Sequence, residues 1–465
     1  MRTAAWAAAA AALIGGCALG PDYQRPPVNL PAAFPQADSG SATIAADWWT
    51  AYGDNTLNQL VAKALAGNFD IAQAVARVEL AEAQAREAGG ALLPSVNLAS
   101  GASRLQAGAA NPANTSGRTI TYSDFKLGLS ASYEIDFWGR LRRADEAARA
   151  TLLASQAARD TVRLSVAALV AQAWFALRSL DDQLAATQTT LKTREEGARI
   201  VAARLKAGTA SRLDAEQAEI LRADAALQLR DLQRQRALAL SQLGVLTGDN
   251  AFAAEPGTLG DAALPPEPPP GLPSALLERR PDILRSEQLL VAANAQIGAA
   301  RAAMFPSISL TGGLGQESTE LSKLLDSPAR FWSLGVGLSL PIFDGGRNAA
   351  RTDQAAARQR EAVAAYQAAV SAAFKEVADA LANLRAARES APDLALREAA
   401  AGKAQELAQA RFDAGYAGYL ELLDAQRTAT AARLDVVRNR QAQRNAHVDL
   451  IKALGGGWAG LGAGS

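Results

Sequence analysis

The chain is most informative in what it lacks. It holds one cysteine and one histidine in 465 residues. That excludes a disulfide framework, Cys/His zinc sites and, unless His447 serves it, an ordinary Ser-His-Asp or Cys-His apparatus. Neither charge sign is in surplus: Lys+Arg and Asp+Glu are 47 each, so nothing here neutralises a nucleic-acid backbone and no nucleic-acid partner is expected. Aromatics supply 5% of residues within a hydrophobic fraction of 49%. Alanine fills much of the remainder, which suits long, closely packed helices better than a bulky globular core. The reading is of a non-enzyme that needs no cofactor and no metal.

What is present begins with an export pattern. Met1 and Arg2 precede an apolar run from Ala4 to Ile14, and Ile14-Gly15-Gly16-Cys17 follows at once, so residues 1–16 are expected to be a signal peptide. Cys17 after two glycines resembles a bacterial lipobox, whose cysteine is lipid-modified; the alternative is an ordinary unpaired cysteine. Ala18 stands where an Asp would favour inner-membrane retention in that pattern, which points to the outer membrane. Pro21, Pro26, Pro27, Pro31 and Pro35 keep the next stretch extended, as a tether requires. No later apolar run is expected to reach the roughly 18 unbroken residues of a membrane helix, so any span must use strands.

The chain also repeats itself. Ala91-Leu-Leu-Pro-Ser returns as Ala303-Met-Phe-Pro-Ser, an offset of 212, and Ala207-Gly208 returns as Ala414-Gly415, an offset of 207. Such offsets fit a duplicated half rather than a solenoid unit. The expected organisation is a first repeat over 17–250, a Pro-rich linker over 251–275, a second repeat over 276–456 and a tail over 457–465. Within each half the hydrophobic period changes in the same order. Phe125, Leu127, Leu129, Ala131, Tyr133, Ile135 and Phe137 alternate with Lys126, Gly128, Ser130, Ser132, Glu134 and Asp136, which is a strand. Trp332, Leu334, Val336, Leu338, Leu340 and Ile342 repeat the pattern, and weaker alternation at Val96 and Leu98 and at Ile308 and Leu310 supplies one partner strand per half. A water-soluble sheet packed on a core shows the same alternation. The export signal and the aromatic strand ends Tyr122, Phe125, Phe137, Trp138, Phe331, Trp332 and Phe343 favour a membrane sheet.

The rest reads as helix. No proline occurs between Leu141 and Thr247, and Val162, Val166, Leu169, Ala173, Leu177, Leu180 and Leu184 form a near-heptad seam. Arg140 to Lys206 as one helix would be about 100 Å long; a turn at Gly208 and a return helix from Leu213 to Leu243 complete a hairpin. The second half repeats this through a turn at Gly415, with Pro392 expected to break or kink its outgoing helix. Four strands cannot close a barrel, and open edges are forbidden in lipid. Two copies would give eight strands and a filled interior, whereas three give twelve and room for a channel. The expected fold is therefore an α+β membrane protein, a trimeric 12-stranded β-barrel continued by a long periplasmic α-helical barrel, with two structural repeats per chain.

Three motifs carry a resemblance: Trp48-Trp49 with Tyr52-Gly53-Asp54, Leu276-Leu277-Glu278-Arg279-Arg280-Pro281-Asp282-Ile283, and Leu422-Leu423-Asp424-Ala425-Gln426-Arg427. With these the chain resembles the TolC-type outer-membrane efflux proteins, in the lipoprotein branch that serves resistance-nodulation-division pumps. The resemblance implies a homotrimer in outer-membrane lipid, fed by an inner-membrane pump through a periplasmic membrane-fusion adaptor. It also implies a periplasmic gate at the far end of the helical hairpins. Asp424, Arg427 and Leu420 match it in the second half, Asp214 is the acidic counterpart in the first, and Glu421 is a further acid. Without the resemblance, Asp214 and Asp424 read as helix caps or exposed ion pairs. The turns at Gly208, Thr209 and Ser211 and at Gly415 are the expected adaptor-docking positions, with Tyr416 departing from the small residue of the first turn. The rivals are a conduit of the same fold for a type I peptide or protein secretion system, and a periplasmic adaptor. The latter would show one helical hairpin between lipoyl-like segments rather than two in a repeat.

Overall fold

A computed structural model describes residues 18–28, 31, 34, 44–112, 114–115, 117–260, 264–268, 271 and 273–458. The expected signal peptide, Cys17 and most of the C-terminal tail lie outside the described residues. Among the described residues, eight α-helices and four strands run in the order α1 Asn55–Gly67, α2 Phe69–Gly90, β1 Ser95–Ala107, β2 Ile120–Ile135, α3 Arg140–Lys206, α4 Arg212–Thr247, α5 Leu276–Arg279, α6 Pro281–Ala302, β3 Ser307–Ser318, β4 Arg330–Ser339, α7 Arg347–Asp413 and α8 Tyr419–Ala453. The block from α2 to α4 recurs from α6 to α8: α2 and α6 are 22 residues each, and α3 and α7 are 67 each.

The chain divides into two compact units, each taking segments from both halves: Met1–Pro27, Arg77–Ser155 and Arg285–Gln367 in one, Val28–Ala76, Gln156–Leu284 and Ala368–Ser465 in the other. The first holds the sheet, an antiparallel meander in the order β1-β2-β3-β4. Its register sorts side chains by face, because opposed residues share a side. Leu98, Leu129, Leu314 and Trp332 form one row; Tyr133, Leu310 and Val336, then Ile135, Ile308 and Leu338, form others on the same face. The opposite face carries Asn97, Ser130, Gly313 and Ser333, with Ser309 and Gly337 beyond them. Trp332 and Leu334 are each 78% exposed, so the apolar face covers no core and the soluble-sheet reading fails. Tyr122 and Phe331 fall on the polar face, and Phe331 lies over Gly128 and Gly315, where an added Cβ would come within 2.9 Å of the ring at Gly315. These two aromatics are therefore not part of the apolar face, unlike Phe125 and Trp332.

The strand limits differ from the alternation. β2 starts at Ile120 and ends before Phe137, and β4 stops at Ser339, ahead of Leu340 and Ile342. Trp138 instead packs against Phe137 and Phe305, with ring centroids 4.9 and 4.7 Å away, and donates its indole N–H to the Pro306 carbonyl at 2.9 Å. In the same unit the N-terminal segment is pinned rather than free. Arg25 makes a two-point pair with Glu287 (2.7 and 2.9 Å), Arg143 pairs with Asp22 at 2.8 Å, and Asn294 donates to the Pro21 carbonyl. Gly298 admits this crossing, since a Cβ there would sit 2.5 Å from the Leu19 carbonyl oxygen.

The second unit has the larger core. Leu57, Val61 and Ala64 of α1 pack on Val166, Val170, Trp174 and Leu177 of α3, on Leu243 of α4 and on Val448 and Ile451 of α8. Asp54 fixes the start of α1 by accepting from the Thr56 and Leu57 amides, and its second oxygen accepts from the Trp174 indole at 2.7 Å. One aspartate thus serves as cap and as cross-link. Arg280, its side chain 8% exposed, pairs with Asp282 and Glu376 at 2.7 Å and donates to the Ala453 carbonyl at 2.9 Å. That gives the Arg-Arg-Pro-Asp motif its role: Pro281 opens α6 while the preceding guanidinium ties α6, α7 and α8 together.

Two expectations are corrected here. α7 runs unbroken through Pro392, so the expected break does not occur: the cost of one interior proline, about 3 kcal/mol, falls on a 67-residue helix whose other turns stay bonded. α3 contains an 18-residue stretch of mean hydropathy 1.2, long and apolar enough by that measure to cross a membrane. Half of that stretch is buried, and α3 supplies much of the core just described, so the apolarity has a packing cause.

Candidate gate at the helical turns

Both long hairpins turn in the same way. Gly208 has φ +74° and Gly415 +78°, the left-handed region that a side chain disfavours. The Thr209 amide reaches back to the Arg204 carbonyl at 2.9 Å, and Tyr416 to Arg411 at 2.8 Å, which closes the last turns of α3 and α7 as Schellman motifs. Among the described residues, nothing lies within 4 Å of a Cβ added at either glycine. The glycines are needed for conformation alone.

The return helices start differently. Ser211 caps α4 in a capping box: its Oγ accepts from the Asp214 amide at 3.1 Å, and Asp214 Oδ2 accepts from the Ser211 amide at 3.0 Å and hydroxyl at 2.7 Å. α8 starts at Gly418 with no side-chain cap. Instead Glu421 reaches across the turn to Arg411, 3.2 Å away on α7.

The tip is held by a small core. Ala198 and Val201 of α3, Ala218 of α4, Ala408 and Phe412 of α7 and Tyr419, Leu422 and Leu423 of α8 pack together, with the Arg204 guanidinium 4.5 Å over the Phe412 ring. Burial raises the pKa of the Tyr419 hydroxyl above its ordinary value, so it stays a neutral donor. Because Leu422 and Leu423 face inward, Leu420, Asp424 and Arg427 face out. They line a groove of about 250 Å³ with Leu423 and with Gln217, Ile220 and Leu221 of α4.

Four of the expected gate residues are therefore placed as follows. Leu420, Asp424 and Arg427 share one groove, and Asp424 pairs with Arg427 at 2.8 Å within α8, not with another helix. Asp214 stands apart, its carboxylate committed to the cap. α3 and α7 begin at Arg140 and Arg347, and that offset of 207 makes Gln217, not Asp214, the counterpart of Asp424. Asp214 corresponds to Glu421. Sequence reasoning missed the Arg411–Glu421 pair and the Phe412–Tyr419 contact at 5.4 Å. The signal was available: opposite charges ten positions apart around a Gly turn.

The family model described as outer membrane efflux protein matches residues 60–249 and 272–456. The chain belongs to that family. The outer membrane protein OprJ of Pseudomonas aeruginosa is 38% identical over 459 residues, covering 96% of this chain and 94% of OprJ. The cation efflux system protein CusC of Escherichia coli is 34% identical over 448 residues, covering 95% and 96%. Among solved structures, the CmeC outer membrane channel of Campylobacter jejuni superposes with a TM-score of 0.88 at 29% identity, covering 95% of each chain. The protein is an outer-membrane efflux channel and not an enzyme. Its sheet and paired helical hairpins are that channel fold.

Proposed function

We propose that three copies of this chain close a twelve-stranded barrel in the outer membrane and continue it into the periplasm with their helical hairpins. The assembly is a passive exit duct for small molecules that an inner-membrane resistance-nodulation-division pump expels through a periplasmic adaptor. The observation that carries this reading is the sheet. One face is apolar and exposed, the other is Gly- and Ser-rich, and β1 and β4 each have a free edge among the described residues. Lipid accepts the first face and water the second, while the edges require partner strands. Names of relatives such as the cation efflux system protein CusC support small-solute export over peptide secretion.

In this reading Cys17 carries the lipid anchor, and the turns at Gly208, Thr209, Ser211 and Gly415 meet the adaptor. The gate is formed by Leu420, Asp424 and Arg427, with Glu421 bracing α8 against α7. Threefold symmetry repeats the Asp424 carboxylates around one axis, where they repel one another, attract cations and are offset by Arg427. Asp214 supports the gate through the helix start. Reconstitution of the purified protein in planar bilayers tests the reading: small, cation-preferring conductance steps are expected, and a bilayer that stays silent at every protein load contradicts it.

A further inference from the structure

Arg194 on α3 is 6% exposed, and its Nη1 has no hydrogen-bond partner among the described residues. It forms part of the wall of two cavities, one of about 270 Å³ and one of about 380 Å³, which also share Thr193 and Gln426. A buried guanidinium without a counter-charge is among the most costly arrangements in a protein interior. Tyr419 on α8 and Asp224 on α4 act on it electrostatically, but Arg194 makes no ion pair among the described residues. Burial accordingly pulls the Arg194 pKa below its ordinary value.

The walls indicate what compensates it. In the smaller cavity Arg433 of α8 adds a second cation and Gln405 and Gln426 add amides, against one carboxylate, Glu398 of α7. The hydroxyls of Thr189, Thr190 and Thr193 already donate to carbonyls one turn back, at 3.0 to 3.1 Å. They therefore offer lone pairs rather than protons. A cation is disfavoured by the two arginines, and a water would satisfy a donor but leave the buried charge uncompensated. An anion does both.

We propose that this cavity is a binding site for one small inorganic anion of the halide class, held by the Arg194 and Arg433 guanidiniums and the Gln405 and Gln426 amides. The anion neutralises Arg194 and bridges α3 to α7 and α8 on the tip side of the hairpins, inside a single chain. The site does not depend on the gate reading, since Asp424 and Arg427 line a different groove.

Crystals of the full-length protein grown in sodium bromide test it directly. An anomalous bromide peak is expected within hydrogen-bond reach of the Arg194 guanidinium, absent from Arg194→Gln and weakened in Arg433→Gln. Raising bromide at constant ionic strength should raise the unfolding temperature of the wild type and leave that of Arg194→Gln unchanged. Wild-type crystals with only water density beside Arg194, or a peak that persists in Arg194→Gln, would overturn the assignment. The wild-type arm decides even if Arg194→Gln does not fold.

Discussion

Replacing Asp424 and Arg427 separately should move the ion preference of the channel in opposite directions. The pair is made within one helix, at 2.8 Å, between side chains 67% and 74% exposed. Exposed intrahelical pairs of this kind contribute about 0.3–0.5 kcal/mol. Neither single replacement should therefore unfold the tip, whose core of Phe412, Tyr419, Leu422 and Leu423 is left intact. In the proposed trimer the electrostatic effect is larger, because threefold symmetry multiplies it. Asp424→Ala takes three carboxylates from the ring and leaves three unpaired guanidiniums, whereas Arg427→Ala leaves three unpaired carboxylates. The reversal potential across a potassium chloride gradient should shift toward anions in the first variant and toward cations in the second, and return near the wild-type value in the double variant. Asp214→Ala should behave differently. It removes the N3 half of a capping box, costs about 0.3–1.5 kcal/mol at the start of α4, and leaves the reversal potential near wild type. Intact trimers of both Asp424→Ala and Arg427→Ala with an unchanged reversal potential would refute the gate assignment and return these residues to ordinary surface pairing.

Leu129 and Ser130 stand at the same depth on opposite faces of β2, in rows with Trp332 and with Ser333. Leu129→Arg should cost about 2–4 kcal/mol for protein folded in lipid vesicles, the range for arginine near the bilayer midplane, as measured by urea unfolding. Ser130→Arg should be tolerated, and equal losses would contradict the assignment of faces. His447, the chain's single histidine, is 1% exposed and lies 2.6 Å from the Tyr52 hydroxyl through Nδ1. Burial lowers its pKa, so the unfolded chain takes up a proton that the folded chain refuses. The stability it contributes is complete above the ordinary histidine value of about 6.5 and is lost as pH falls below it. The unfolding midpoint should drop between pH 7.5 and 5.5, and His447→Gln should flatten that part of the profile; an identical pH profile in the variant would contradict the linkage.

Much of the fold was legible because strands and long helices leave periodic traces. The period-two alternation of Leu127 to Ile135 and the recurrence around Gly208 and Gly415 locate sheet and turns in the sequence itself. The ends were harder for a physical reason. Past Phe125 the apolar side chains change faces, with Leu105 and Tyr122 opposed on the polar side, so a single-face pattern stops five residues before the strand does. Pro392 marked a break that neighbouring hydrogen bonds override. The site was legible in composition but not in register. Asp214 and Asp424 both precede alanine and look equivalent, yet helix starts at Ser211 and Gly418 set Asp214 opposite Glu421 instead. Contacts between distant segments, such as Asp54 with Trp174 or Arg280 with Glu376, leave no periodic trace. The burial of Arg194 looks in sequence like any other charge on an Ala-rich helix.

The central claim is that the four strands of one chain are a third of a closed barrel. Native mass spectrometry of the full-length protein, released from detergent micelles in the gas phase, tests it most directly. Three chains per particle are predicted, persisting at protein concentrations well below those of purification, because each of the two sheet edges must be paired to exist in lipid. A stable folded monomer, or a dimer, under the same conditions would contradict the barrel and with it the duct.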